Sequence, residues 1–347
     1  MQALIRYGTG AHDVRLDDVP EPQPGPHEVK IEVKAAGVCG TDIHGHPSVV
    51  PPVILGHELA GVIAEVGTEC AERRVGERVT SETTKSTCGR CRYCRQGPVS
   101  LCIDRRGMAS TADGCFARYV CLPESSVHPL PPDVSFEAGA LTEPLACATH
   151  AAFEQGGVAP GEVIVVLGPG PLGLLVARCC ALVGARVIVA GTAADDDRLR
   201  LADAFGADRT VDVESEDLPA FVRSITDGYG ADTAFECSGA PAAVRTGLAC
   251  LRKRGRFVQA GMLAAGGNAI IEFATVEHAR SWAARYSRWL HETAPGLDVV
   301  VVHRPYEQRP LAWALRALQI DVARAKQERV PGVAQLGLSV TASCSIT

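Results

Sequence analysis

Fifteen residues, CGRCRYCRQGPVSLC at positions 88–102, carry Cys88, Cys91, Cys94 and Cys102. Taken alone, such a group could form disulfides, act as redox thiols, cradle an iron–sulfur cluster or cage a metal. The spacing C-x2-C-x2-C-x7-C suits a closed tetrahedral Zn–S4 site. It differs from the bacterial ferredoxin run, where the fourth cysteine follows after three residues and precedes a proline. Arg90, Arg92 and Arg95 would offset the charge of four thiolates. Upstream, GVCGTDIHGH and then GHELAG supply Cys39, His57 and Glu58. Thiolate, imidazole and carboxylate together suit a Zn²⁺ ion that keeps an open position for a reactant. Asp42 fits two roles there: orienting a ligating histidine through its carboxylate, or shaping the turn beside Gly40.

A third group, GPGPLG, sets Gly168, Gly170 and Gly173 as G-x-G-x-x-G directly after the apolar run VIVVL and at the head of a helical stretch. The first glycine permits a tight turn, the second lets a pyrophosphate approach the backbone, and the third allows close helix–strand contact. The helix N-terminus adds N–H donors. In that context the motif predicts a dinucleotide site formed by Gly168, Gly170, Pro171, Leu172 and Gly173. An acid about twenty residues farther on would hold the ribose 2′-OH of NAD. The chain instead reads VIVAGTAADDDRL, with Gly191 and Thr192 where that acid is expected. Asp195, Asp196 and Asp197 come later, and Arg198 is near enough to meet the 2′-phosphate of NADP. The acids also suit a helix start, where negative charge is favourable. Both NAD and NADP stay open.

Two kinds of scaffold must position these groups. Residues 1–150 hold short β-type runs such as QALIRY, HEVKIEVKAAG, LAGVIAEVG and FARYVCLP, parted by turn-forming stretches such as PEPQPGP. They predict an all-β domain. From GEVIVVL onward, apolar runs alternate with helix-length segments, among them DRLRLADAFG, LPAFVRSITDG and AVRTGLACLRKRG. That alternation predicts βαβ units on a parallel sheet. Farther on, ARSWAARYSRWLHE places Trp282, Tyr286, Trp289 and Leu290 at helical spacing, LDVVVVH reads as a strand, and QRPLAWALRALQ as a helix.

At 347 residues the chain can build two cores. Forty acids against 34 Lys and Arg give a net charge of −6 without a basic block, which argues against nucleic acid or an anionic membrane as the main partner. No apolar leader opens the sequence and no stretch approaches the length of a membrane span, so a soluble, cytoplasmic protein is expected. In such a reducing compartment, most of the cysteines outside the cluster read as small buried hydrophobes.

Taken together, these residues resemble the zinc-containing medium-chain alcohol dehydrogenases, especially the branch of sorbitol and threonine dehydrogenases. GHELAGVIAEVG matches that family's zinc signature through Gly56, His57, Glu58, Gly61 and Gly67. CGTDIH, the four-cysteine lobe, TEPLACATHA and VLGPGPLGLL follow in the family's order, over residues 1–261. The resemblance implies an α/β protein in two parts. A GroES-like β-barrel catalytic domain would span residues 1–150, completed by 321–347. A Rossmann domain with a doubly wound parallel sheet would span 151–320. It implies two zinc ions per subunit. Cys39, His57 and Glu58 would hold the catalytic one, with Glu143 as a further or exchangeable ligand. Cys88, Cys91, Cys94 and Cys102 would hold the structural one. Thr41 falls where the family has the hydroxyl that receives the alcohol proton, and His44 where a histidine passes it to solvent. Asp42 falls on the acid behind the ligands. The implied activity is hydride transfer between a secondary alcohol or polyol, sorbitol- or threonine-like, and NAD or NADP, in a homodimer or homotetramer.

Residues 262–347 depart from the family pattern, with 262–298 as an atypical segment of the Rossmann part, and Trp282, Trp289 and Trp313 all fall in the departing region. One expectation is a helical insertion that reshapes a dimer edge or the substrate cleft. The other is an altered C-terminal region, leaving a zinc- and cofactor-binding homologue impaired in turnover.

Overall fold

The computed structural model describes residues 1–8, 13–44 and 49–262, together with the backbone of three later strands. The chain divides into two compact units, Met1–His150 and a second beginning at Ala151.

The first unit is antiparallel β. Its strands are β1 (Gln2–Arg6), β2 (Val14–Asp18), β3 (Glu28–Gly37), β4 (Val53–Ile54), β5 (Glu58–Val66), β6 (Arg78–Ser81), β7 (Thr84–Ser86), β8 (Arg106–Gly107), β9 (Tyr119–Pro123) and β10 (Val127–Pro129). They pair in the orders β2-β1-β4, β10-β6-β5-β3-β9 and β7-β8. Alternation along the strands builds the core of the larger sheet. Val29 and Ile31 of β3, Leu59 and Ile63 of β5, and Leu122 of β9 are buried in one apolar cluster. Lys30, between two of them, is just 1 % exposed, and its ammonium is held by Glu21 and by Glu65, the latter at 2.7 Å. Short helices α1 (Gly40–His44) and α2 (Arg92–Gln96) interrupt the strands, and α3 (Phe136–Ala140) and α4 (Thr142–Thr149) follow the last of them.

The second unit is α/β. Strands β11 (Val163–Leu167), β12 (Arg186–Gly191), β13 (Arg209–Asp212), β14 (Ala231–Glu236) and β15 (Leu251–Gln259) form a parallel sheet in the order β13-β12-β11-β14-β15. Helices α5 (Pro171–Leu182), α6 (Asp196–Ala202), α7 (Leu218–Ser224) and α8 (Pro241–Cys250) lie between successive strands in the chain. The near-continuous apolar runs follow from burial on both sheet faces: Val165, Val166, Ile188, Val189, Ala234 and Phe235 are all fully buried. One boundary differs from the sequence expectation. AVRTGLACLRKRG does not run on as a helix-length segment. It leaves the helix after Cys250, and LRKRG opens β15. Arg252 donates through Nε to Asp232 Oδ1 at 2.6 Å, holding this segment beside β14, so tertiary pairing overrides local helix preference.

A further sheet pairs β16 (Asn268–Phe273) parallel to β17 (Asp298–His303), with β18 (Val340–Thr341) antiparallel to β17. The strand expected in LDVVVVH is β17. The helices expected at 279–292 and 308–319 lie outside the described residues. So do the rest of segment 262–298, apart from Met262, β16 and Asp298, and the closing segment 321–347, apart from β18.

Candidate functional site

Strand register assembles the mixed donors. Gly37, the last residue of β3, lies opposite Glu58, the first of β5. Cys39, two residues beyond that pair, therefore meets His57, one residue before it. Gly37 makes room for the carboxylate, since a side chain there would stand 2.0 Å from Glu58 Oε2. The donor atoms of Cys39, His57 and Glu58 lie within 4.8 Å of one another. Glu143, in the first turn of α4, stands outside that trio, but its charge reaches both His57 and Glu58.

Asp42 locks the two converging segments. Its Oδ2 accepts from the Cys39 N–H at 3.0 Å and its Oδ1 from the Gly56 N–H at 3.2 Å, while Oδ1 sits 3.8 Å from His57 Nδ1. Arg6 donates to the Asp42 carbonyl at 3.0 Å. The carboxylate thus shapes the turn after Cys39 and faces the imidazole at once. Thr41 lies beside it on α1 and is half-buried. His44 closes α1, and its side chain lies outside what is described.

The electrostatics of this pocket ask for a cation. Burial, and then the Glu143 charge, push Glu58 up to about 7. Burial raises Glu143 as well, against the opposing pull of His57. For His57 burial works against the charged form, but a hydrogen bond with Cys39 and the nearby Asp42 and Glu143 carboxylates outweigh it and lift the imidazole to about 9. Protons are being retained because anionic donors crowd one buried place. Sulfur, imidazole and carboxylate oxygen in one such cluster fit Zn²⁺.

Two further neighbours lie outside the candidate residues read from the sequence. Cys147 donates through Sγ to Glu143 Oε1 at 3.6 Å, and burial followed by the Glu143 charge pushes its thiol up to about 12. The i, i+4 spacing of Glu143 and Cys147 on α4 was the available signal. Arg105 is fixed by bonds to Thr83 Oγ1 (2.7 Å) and Thr84 Oγ1 (3.1 Å), and its charge acts on Glu143. No local pattern marks it.

The four-cysteine lobe is built differently. The β7–β8 ribbon brackets it, α2 inside it buries no residue, and Cys91 caps α2 by accepting from the Cys94 N–H. Cys88, Cys91, Cys94 and Cys102 offer sulfurs within 4.8 Å of one another, and none is in a disulfide. Backbone N–H groups of Cys88, Cys91 and Cys94 donate to the sulfurs of Cys102, Cys88 and Cys91 at 3.3, 3.3 and 3.5 Å. Donation from the Cys94 N–H leads in holding the Cys91 thiol low, whereas burial leads in raising Cys94. Four sulfurs, with backbone donors favouring the thiolate form, fit a tetrahedral zinc cage.

In the second unit, Gly168 has φ +100°, and a side chain there would meet Ser238 at 2.8 Å. At Gly173 it would stand 1.9 Å from the Gly168 carbonyl oxygen, while at Gly170 it would meet open space. Gly170 is the N-cap of α5, with Pro171 and Leu172 opening the first turn. The turn is therefore tight at its first and third glycines and open at its second, as a pyrophosphate cradle requires. After β12, Thr192 donates through N–H and Oγ1 to Asp195 Oδ2 at 3.1 and 3.0 Å. Arg198 pairs with Asp195 Oδ1 at 3.2 Å, and Arg200 with Asp196 and Asp197. Gly191 packs against Pro169. The acids of this stretch are thus engaged in capping and ion pairs.

Residues 25–132 match the family described as alcohol dehydrogenase GroES-like domain, and residues 171–301 the family described as zinc-binding dehydrogenase. Sorbitol dehydrogenase of Halalkalibacterium halodurans is 45% identical over 267 residues, covering 76% of this chain and 78% of its own. D-arabitol-phosphate dehydrogenase of Enterococcus avium is 40% identical over 268 residues, 76% of each chain. Among solved structures, a protein of Sinorhizobium meliloti 1021 assigned as a zinc-binding dehydrogenase and bound to NADP superposes with a TM-score of 0.72 at 31% identity, covering 86% of this chain and 83% of that one. Among the described residues, no helix is long and apolar enough to cross a membrane.

Proposed function

Because this chain belongs to the zinc-containing medium-chain alcohol dehydrogenases, we propose that it oxidises a secondary alcohol or polyol, sorbitol-like in chemistry, with NAD or NADP as hydride acceptor. The observation that carries this reading is the convergence of Cys39, His57 and Glu58 donor atoms within 4.8 Å in a buried, anion-rich pocket. These three residues would hold a catalytic zinc, with Glu143 at hand as a further or exchangeable ligand. When bound, zinc supplies Lewis acidity to a substrate hydroxyl and the nicotinamide accepts the hydride.

The remaining work falls to the protein. Asp42 holds the turn after Cys39 and the Gly56 backbone just before His57 through its two bonds, with its carboxylate facing the imidazole, as residues behind metal ligands do. The Thr41 hydroxyl receives the alcohol proton and His44 passes it toward solvent. Gly168, Gly170, Pro171, Leu172 and Gly173 would hold the pyrophosphate, and Gly191, Thr192 and Arg198 would serve the adenosine ribose. Cys88, Cys91, Cys94 and Cys102 would hold a second zinc that folds their lobe and takes no part in the reaction. On this reading residues 1–150, completed by 321–347, form the catalytic domain and 151–320 the cofactor domain of a cytoplasmic homodimer or homotetramer.

A second reading rests on coverage: the Halalkalibacterium halodurans relative aligns with 76% of this chain. A homologue that binds zinc and cofactor without turnover would fit the aligned part equally well. A turnover screen of polyols, secondary alcohols and L-threonine, run separately with NAD and NADP on protein of measured zinc content, separates the two. Two zinc equivalents with turnover of a polyol support the main reading. Full metal and cofactor binding with no turnover of any substrate supports the second.

A further inference from the structure

The carboxylate of Glu236 has no part in the function proposed above, yet it is fully buried at a place of consequence. It ends β14 and lies opposite Leu167, the end of β11. These two strands flank the point where the order β13-β12-β11-β14-β15 reverses its direction of growth. In open α/β sheets, ligands bind in the crevice outside the strand ends at that point.

Among the described residues, Glu236 is paired with no Lys, Arg or His. Every partner is a neutral donor. Ser238 N–H and Gly239 N–H reach Oε1 at 2.8 and 3.0 Å, the Ser238 hydroxyl donates to Oε1, and Gln259 Nε2 donates to Oε2 at 2.6 Å. The Glu236 carbonyl also accepts from Ala260 and Gly261 N–H at 2.9 and 2.7 Å. One residue therefore ties the loop after β14 to the end of β15. That loop in turn backs the glycine turn. Ser238 stands 2.8 Å from where a side chain on Gly168 would begin, and Cys237 Cβ lies 3.4 Å from the same point on Gly173. Gly261 leaves space for the carboxylate itself, since a side chain there would stand 2.8 Å from Glu236 Oε2.

We infer that Glu236 is a positioning residue for the dinucleotide, fixing the 237–240 loop against the glycine turn so that the crevice is formed before the cofactor arrives. The inference rests on the reading of GPGPLG as a dinucleotide site. Changing Glu236 to Gln keeps the shape but replaces one acceptor by an NH₂ that must face donors, leaving buried N–H groups unpaired.

Fluorescence titration of the zinc-loaded, full-length chain with NADH and with NADPH tests it. In Glu236→Gln the Kd for the preferred nucleotide should rise about tenfold. KM for the oxidised nucleotide should rise in step, with kcat at saturation within about twofold and zinc content unchanged. Gln259→Met removes one donor and leaves the carboxylate, and should weaken binding by about threefold. It carries the test alone if Glu236→Gln does not fold. Unchanged nucleotide affinity in the variants overturns the inference, as does a loss confined to kcat. Wild-type protein that binds neither nucleotide overturns the dinucleotide reading itself, and the inference with it.

Discussion

The two clusters of metal-ligating residues in the first unit are built on opposite plans. In the four-cysteine lobe the donors come from one fifteen-residue stretch, the helix between them buries nothing, and the sulfurs replace an apolar core. In the Cys39 cluster the donors come from two strand ends joined by register, and Glu143 approaches from a helix about eighty residues farther on. On the proposed reading the lobe would depend on its metal for order, whereas the Cys39 pocket is ordered by the sheet and would use a metal to relieve crowded charge. A small loop without a core folds around its ion, whereas a preformed pocket of buried donors can keep one position free for a reactant.

Substitutions should separate the two plans. Cys39→Ser should lower kcat by at least about a thousandfold, remove one zinc equivalent, and leave the Kd for NADH or NADPH within about twofold. Elemental analysis and nucleotide titration on one sample check all three parts, and near-normal turnover would break the contrast. Cys91→Ser should act on order first: loss of the other zinc equivalent and cutting by protease within 88–102 at least about tenfold faster. A lobe equally resistant without its metal would show that the sulfurs are dispensable for its fold.

Asp42→Asn should cost about 10- to 100-fold in zinc affinity or activity at the Cys39 cluster while the lobe keeps its zinc, because only the former has its ligand turn held by this carboxylate. A competition assay with a chromogenic chelator reads this directly.

The smallest effect concerns the sheet beneath the pocket. Burial lowers the proton affinity of Lys30, but bonds to Glu21 and Glu65 outweigh it, so its pKa stands above 10.5. A raised lysine pKa adds stability that is fully present below 10.5 and is lost as pH rises through the folded value. The melting temperature of wild-type protein should therefore fall more steeply above about pH 10.5 than that of Lys30→Met. Near neutrality the two should differ little, since a buried ion pair and a well-packed apolar side chain are often close in net stability. Parallel curves throughout would remove Lys30 from the account.

Much of this protein is readable in its sequence because the relevant signals are short-range. Alternation within β3 and β5, apolar runs in β11 and β12, the cysteine spacing at 88–102 and the glycine turn after β11 each lie within one or two elements. The boundary at Cys250 was harder, because Asp232 on another strand draws LRKRG out of the helix pattern.

What the sequence alone determined is therefore the inventory: which residues can bind metal, where a glycine turn could take a phosphate, and that a mainly β part precedes a parallel α/β part. What only the tertiary structure decided is company. The Asp42 clamp on Cys39 and Gly56, the guanidinium of Arg105 and the buried Glu236 carboxylate gain their meaning from residues distant in sequence or shielded from water. Spacing along a chain encodes local geometry. Burial and charge depend on every segment that packs around a group, and no single stretch records that.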